Sequence, residues 1–406
     1  MNLLTIPRPL LARLLRQLAR QTVPAVTCPV GSIDRPGRCE FLVRPPDGDA
    51  GPRLLLRLGE NLDRPDRLPP NCIAWLTIGR GRGHGRAAGG LSDGTAIDEL
   101  RLVGPGMHQV ALAADSAGLD RNNNALERWS RTAGALGLGV LPRLVALTYG
   151  LIGAGRTGSV LAEQLTGLGV QRTVLIDPDR LEESNLGEMT GLTEKDVGRP
   201  KAEALARHLS RRGMVEALAQ SITNVRALRA VEECDVLFCG VDHDAARLAV
   251  SALSVLFLRP LIDVGVGIHG AGATREMGAD IRLLLPGEGC LLCVGGLSDE
   301  AGARAALRSA DSELGASAGQ DWRRQRAGSL RSLNELAASL AVRMWEDLVA
   351  ERLSTGTWLH LEFDDAGRLS VVYPSPPRSA CSLCRLSGRG EVGLSAATEV
   401  FRDPAS

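Results

Sequence analysis

Two groups of residues in this chain have types and spacings suited to chemistry. The first is a pair of cysteine knuckles, Cys290-Leu291-Leu292-Cys293 and Cys381-Ser382-Leu383-Cys384. Each C-x-x-C presents two sulfurs from one turn. Four thiolates make a closed tetrahedral set, which suits structural Zn²⁺ and leaves no open position for catalysis. The alternative reading is two unrelated reduced pairs or a redox dithiol. The second group is Gly153-x-Gly155-x-x-Gly158, lying between an apolar run and a helical one. Glycines at that spacing allow a tight turn and close approach of backbone to phosphate, and a following helix N-terminus offers free N–H groups and partial positive charge. Asp177 ends the next apolar run 19 residues past Gly158, a distance that suits a ribose hydroxyl contact. NAD, FAD and ATP all fit the loop at this point. The bland reading is a strand–helix turn with no ligand.

These groups need elements to hold them. The run VALTYGLIG (145–153) reads as a strand, followed by a helix through Leu168 and a second strand, TVLIDPD (173–179). A helix is expected over Lys201–Arg212, a third strand at CDVLFCGVD (234–242), a helix from Asp244 to Phe257 and a fourth strand at PLIDVGVG (260–267). Strands alternating with helices argue an α/β fold with a doubly wound, mostly parallel, Rossmann-like sheet. ADIRLLLP leads into the first knuckle, and the strand pair TWLHLEFD and LSVVYP into the second. Residues 298–328 are polar and rich in Ala, Arg and Ser, and read as a long crossover or lid before a helix over Ser329–Leu353.

At 406 residues the chain is too long for one ordinary core, and two domains are expected, 1–126 and 127–406. The first reads as an N-terminal α+β accessory unit. It opens with an amphipathic helix over MNLLTIPRPLLARLLRQLARQ and continues with strands near 40–44, 53–57 and 72–78. Residues 79–98 read as a glycine-rich mobile loop, and Asn122–Asn124 as a turn before a helix carrying Arg128 and Arg131. Forty-seven basic residues balance 47 acidic ones, so whole-molecule charge gives no signal for nucleic acid or an anionic membrane. No apolar window reaches the roughly 18–20 residues of a membrane span, and the N-terminus lacks a secretory pattern, so a soluble cytoplasmic protein is expected.

Downstream of the loop come Asp177-Pro178-Asp179, then Ser184-Asn185-Leu186, then Gly198-Arg199-Pro200-Lys201, and the third strand ends in Gly240-Val241-Asp242. Taken in order, these segments resemble the ThiF/MoeB/HesA family, the E1-like activators of ubiquitin-like proteins. The resemblance covers residues 128–384. It implies adenylation of the C-terminal glycine carboxylate of a ubiquitin-like (β-grasp) protein by ATP and Mg²⁺, with the acyl group passing to a separate acceptor such as an E2-like protein. It places the nucleotide on Gly153, Gly155, Arg156, Gly158, Asp177, Asp179 and Ser184. Lys201 would lie over the phosphates, Asp242 would hold Mg²⁺, and Asn185 would orient the nucleotide. Glu127-Arg128-Trp129-Ser130-Arg131 resembles a family segment whose second arginine reaches the partner's ATP. That makes Arg131 the trans arginine finger of a homodimer. The family also carries both cysteine pairs, the first preceded by a segment like Gly287-Glu288-Gly289.

The chain departs from the family at three points. Arg156 stands where a glycine is usual, Glu188 where an arginine follows S-N-L, and His243 where an asparagine follows the strand-end aspartate. Arg156 is expected to replace the missing cation; weakened catalysis is the other outcome. Residues 294–380 hold no cysteine, so no thioester is expected on the crossover, and Cys234 and Cys239 read as core residues. The N-terminal unit, with His84, Ser92 and Asp93, faintly resembles a JAB/MPN isopeptidase core lacking its paired histidines. The plainer reading is a docking domain. A bacterial ubiquitin-like conjugation operon, with an antiviral role, is the favoured setting. Activation of a sulfur carrier for molybdopterin or thiamine synthesis, an NAD- or FAD-linked oxidoreductase, and a non-catalytic scaffold are the alternatives.

Overall fold

The computed structural model describes residues 1–20, 25–46, 51–59, 62–79, 86–112, 129–269, 276–308, 330–364, 366–373 and 381–402. They form two eight-stranded sheets. The first contains β1 (Asn2–Pro7), β2 (Ala25–Arg35), β3 (Arg38–Val43), β4 (Arg53–Gly59), β5 (Cys72–Gly79), β6 (Ala87–Leu91), β7 (Glu99–Val103) and β8 (His108–Ala111), in the order β6-β5-β4-β2-β3-β1-β7-β8. Helix α1 (Arg8–Leu18) lies on it through Leu10, Leu11, Leu14 and Leu18. The expected helix therefore begins later than its pattern suggested. Leu3, Leu4, Thr5 and Ile6 are all buried between parallel neighbours β3 and β7, and such unbroken burial on both faces favours a strand. The expected loop at 79–98 holds strand β6, because Ala87 to Leu91 pair antiparallel with β5. Residues 80–85 with His84, the turn at 122–124, Arg128 and the boundary at 126/127 lie outside the described residues.

The second sheet contains β9 (Thr148–Ile152), β10 (Arg172–Ile176), β11 (Met214–Leu218), β12 (Val236–Cys239), β13 (Leu261–His269), β14 (Glu276–Leu284), β15 (Thr357–Phe363) and β16 (Leu369–Val372), in the order β11-β10-β9-β12-β13-β14-β15-β16. The first five run parallel and the last three antiparallel. This is the doubly wound architecture expected. Strand β11 was not anticipated. It is the sheet's edge, its first four residues are not buried, and Glu216 interrupts its apolar pattern.

Helices α4 (Arg156–Gly167) and α5 (Lys201–Leu209) cover one face together with the long helix Arg331–Val349. Their Val160, Leu161, Leu165, Leu205, Ala341 and Trp345 share a core with Tyr149 and Leu151. Helices α6 (Val225–Glu232) and α7 (Asp244–Phe257) cover the other face. Two short helices, α2 (Ser130–Leu136) and α3 (Val140–Ala146), precede β9. The expected crossover at 298–328 begins with a helix, Glu300–Arg308, and residues 309–329 lie outside the described ones. No helix among the described residues is long and apolar enough to cross a membrane.

The two sheets meet through buried ion pairs. Arg259, 1% exposed, grips Glu40 with two hydrogen bonds of 2.8 Å each. Arg101 reaches Asp235 at 2.6 Å, and Arg35 reaches Glu232 and Glu233 at 2.5 Å.

Candidate nucleotide and metal sites

Between β9 and β12 the strand order reverses, since the next strand in sequence, β10, lies on the far side of β9. The chain ends leaving β9 and β12 go to opposite faces there and open a crevice at the carboxyl edge, the usual ligand position of such sheets. The glycine loop fills that point. Gly153 has φ of +95°, a conformation that strains residues with a Cβ. A Cβ on Gly158 would stand 1.8 Å from the Gly153 carbonyl oxygen, so the turn closes only with glycine. Gly155 caps α4, whose first internal bond runs from Ser159 N–H to its carbonyl at 2.8 Å. The N–H groups of the first turn are left as donors at a helix N-terminus.

Arg156 is the first residue of α4 rather than part of the extended loop. Its Nε is buried without a hydrogen-bond partner, and its guanidinium makes no ion pair among the described residues. Two hydroxyls beside Gly158 anchor the same turn. Thr157 Oγ1 donates to Asn334 Oδ1 at 3.0 Å, and both residues are buried. Asn334 Nδ2 in turn donates to the Leu330 carbonyl at 3.0 Å. Ser159 Oγ accepts from Thr190 N–H at 3.3 Å.

Asp177 ends β10 almost fully buried. Its carboxylate accepts from Ala154 N–H at 2.6 Å and from Asp179 N–H at 2.8 Å, tying the glycine loop to the next strand end. Burial pushes its carboxyl above the usual aspartate value, against the pull of Lys201. A bridge between Arg180 and Pro200 folds the chain back, so that Lys201 N–H donates to the Asp179 carbonyl. Lys201 Nζ then meets Asp179 Oδ2 at 2.8 Å. Gly153, Gly155, Gly158, Asp177, Asp179 and Lys201 thus form one constellation.

Asp242 is exposed three residues past β12. The intervening Gly240 and Val241 press on the loop, since a Cβ on Gly153 would meet the Val241 side chain at 2.9 Å. Ser184 and Asn185 are engaged locally. Ser184 Oγ donates to Glu182 at 3.3 Å, and Asn185 Oδ1 accepts from Glu182 N–H at 3.0 Å in a capping box. Arg131 is exposed on α2 and bonds none of the loop residues among the described ones. Cys234 and Cys239 are fully buried. Sequence reasoning missed Thr157, Ser159 and Asn334. The pair of hydroxyl residues flanking the third glycine was the available signal.

The four knuckle cysteines converge. Cys290 Sγ lies 3.8 Å from Cys293 and 3.7 Å from Cys381, and Cys293 lies 3.4 Å from Cys384. All four sulfurs fall within 4.8 Å of one another. Zinc–sulfur bonds of about 2.3 Å in a tetrahedron require sulfurs about 3.8 Å apart, so the set fits a metal such as zinc. Hydrogen bonding from Cys290 draws the Cys293 thiol below its usual value. The site staples the segment after β14 to the segment after β16, with Cys290 and Leu383 buried under α7.

The ThiF family profile matches residues 129–343, more than half of the chain. The chain belongs to the ThiF family. Among curated relatives, it is 30% identical over 155 residues to a sulfur carrier protein adenylyltransferase of Thermus thermophilus, covering 36% of this chain and 57% of that one. An adenylyltransferase and sulfurtransferase of Bos taurus is 32% identical over 182 residues, 44% of this chain and 38% of that one. A ubiquitin-like modifier-activating enzyme 5 of Oryza sativa is 27% identical over 225 residues, 50% of this chain and 51% of that one. The match thus spans between a third and three-fifths of these relatives' lengths. Among solved structures, the microcin C7 biosynthetic enzyme MccB with N-formylated MccA superposes with a TM-score of 0.49 at 22% identity, covering 66% of this chain and 77% of that one. The glycine loop, the acidic pair, Lys201, Asp242 and the first cysteine knuckle all fall inside the ThiF match.

Proposed function

We propose that this ThiF-family chain adenylates the C-terminal glycine carboxylate of a ubiquitin-like protein and releases the acyl group to a separate acceptor such as an E2-like enzyme. The observation that carries this reading is the glycine loop at the switch point, locked to Asp177 and faced by the Asp179–Lys201 pair. The first-turn N–H groups of α4 would hold phosphate oxygens. Asp177, just past β10, would take the ribose hydroxyls. Lys201 would move its ammonium from Asp179 toward the phosphates as charge builds there. Arg156, unpaired at the head of α4, supplies the second cation and makes up for Glu188. Asn185 orients the nucleotide from its turn.

Asp242 is a hard carboxylate ligand, exposed beside the loop, and fits Mg²⁺, which would neutralise charge on the departing pyrophosphate. The four cysteines hold structural Zn²⁺. The chain acts as a homodimer in which Arg131 reaches the partner's nucleotide, and residues 1–126 form an accessory domain that docks the protein substrate. The setting is a cytoplasmic conjugation operon with an antiviral role. Activation of a sulfur carrier is the second reading, favoured by the name of the Thermus relative. ATP–pyrophosphate exchange is the test. Exchange should require a ubiquitin-like protein ending in its native glycine; a sulfur carrier supporting exchange instead would select the second reading. No exchange with either would overturn both.

A further inference from the structure

The nucleotide site proposed above places phosphates at the loop after β9 and ribose at Asp177 after β10. A nucleotide continuing in that direction sets its base over the end of β11, two strand spacings or about 10 Å from β9. Registers agree with that path: Ile176 pairs with Leu218, and Asp177 N–H donates to the Leu218 carbonyl at 3.1 Å. Gln220 lies two residues beyond Leu218, just past the last pair of the β10–β11 register. Leu218 and Ile222 on either side are buried in the core on the α6 and α7 face, and Val241 from the end of β12 packs against that same core. A purine is recognised by apolar neighbours together with one polar group.

Gln220 supplies that group. Its Oε1 is buried and has no hydrogen-bond partner. Two other buried side-chain oxygens without partners occur among the described residues, on Thr173 and Ser382. Thr173 lies inside β10 and Ser382 in the second cysteine knuckle, so Gln220 alone stands at the carboxyl edge of the parallel strands. A buried acceptor left unpaired costs stability, which a ligand N–H recovers.

We propose that Gln220 reads the base of the nucleotide, its amide oxygen accepting from the 6-amino group of adenine. The amide N–H then faces a ring nitrogen, the two-point match that glutamine makes with adenine. The inference rests on the nucleotide site above and adds its base specificity.

The test is calorimetric titration of the full-length protein with ATP·Mg²⁺ and with purine riboside triphosphate·Mg²⁺, which lacks only the 6-amino group. Wild-type protein should bind ATP more tightly, on the order of tenfold. Gln220→Met, close in volume and without donor or acceptor, should bind both equally and more weakly than wild type binds either. Gln220→Glu, which keeps an acceptor, should retain discrimination. Equal wild-type binding of the two nucleotides would overturn the role of Gln220 and leave the site standing, as would undiminished discrimination in Gln220→Met. Wild-type protein that binds neither triphosphate would overturn the site and this inference together.

Discussion

Arg156 heads α4, and its surroundings set it apart from the other cation of the candidate site. Lys201 is matched by Asp179 at 2.8 Å and lies near buried Asp177, so its charge is already balanced before any phosphate arrives. Arg156 has no such partner among the described residues, and it heads a helix whose dipole already favours anions. Arg156→Ala should weaken binding of ATP about tenfold, measured by titration, and reduce exchange by at least as much. Arg156→Lys should recover part of the loss; unchanged binding in the alanine variant would remove Arg156 from the site. The types of Gly153, Gly158, Asp177 and Lys201 were legible in sequence because their spacing is rigid. The local roles of Ser184 and Asn185 were not, since a side chain that caps its own turn leaves the same letters as one that binds a ligand.

At the scale of elements, the first turn of α4 is held from both sides by hydroxyls that the apolar pattern conceals. Thr157 and Asn334 form a buried polar link between α4 and the long helix Arg331–Val349, beside apolar residues that include Val160, Leu161, Ala337 and Ala341. A fully paired buried link fixes register, and half of it is costly. Thr157→Val should lower stability by about 1–3 kcal/mol in urea denaturation, and Thr157→Ser should restore most of it. Combining Thr157→Val with Asn334→Leu should cost less than the sum of the single changes. The cysteine knuckles make a second elemental prediction. Removing the metal with a chelator, or Cys381→Ser, should abolish one equivalent of bound zinc and lower stability by several kcal/mol. Purified protein without zinc, folded as stably as the treated sample, would contradict the site. Most strands were readable from apolar runs flanked by Gly and Pro. Strand β1 was hidden because its residues continue into α1 without a break, and β11 because an edge strand need not be apolar.

For the whole molecule, the sequence suggested two units but said nothing of how firmly they join. The join combines buried ion pairs with apolar packing, in which Ile33 and Leu42 share a core with α7 and Val103 and Met107 share one with Tyr149. Glu40 is fully enclosed with Arg259, and Arg101 links β7 to Asp235, which itself accepts from the N–H of Thr148 at the start of β9. Neither partner of such a pair is marked by sequence spacing; residues 40 and 259 are brought together only by the fold. Glu40→Gln should destabilise the protein by about 3–5 kcal/mol, since it leaves Arg259 buried with its charge uncompensated. Glu40→Leu combined with Arg259→Met should recover much of that loss. Burial alone would raise the Glu40 carboxyl, but the Arg259 guanidinium outweighs it and brings the value from 4.5 down to about 2. A carboxyl depressed by folding stabilises above its unfolded value, and the contribution fades as pH falls from about 4.5 toward 2. Acid denaturation monitored by circular dichroism should therefore show a loss of stability across that window in wild type, and a smaller one in the Glu40→Leu/Arg259→Met variant. Equal pH dependence of the two would contradict the assignment.

The central claim is that a triphosphate lies along residues 153–158 under the ammonium of Lys201. Its most direct test is titration of ATP·Mg²⁺ and of AMP into wild type and Lys201→Met. The account predicts that the substitution weakens ATP by about tenfold or more while AMP changes little, because the cation acts on the outer phosphates. Equal affinity of both proteins for ATP, or no binding to wild type at all, would contradict it.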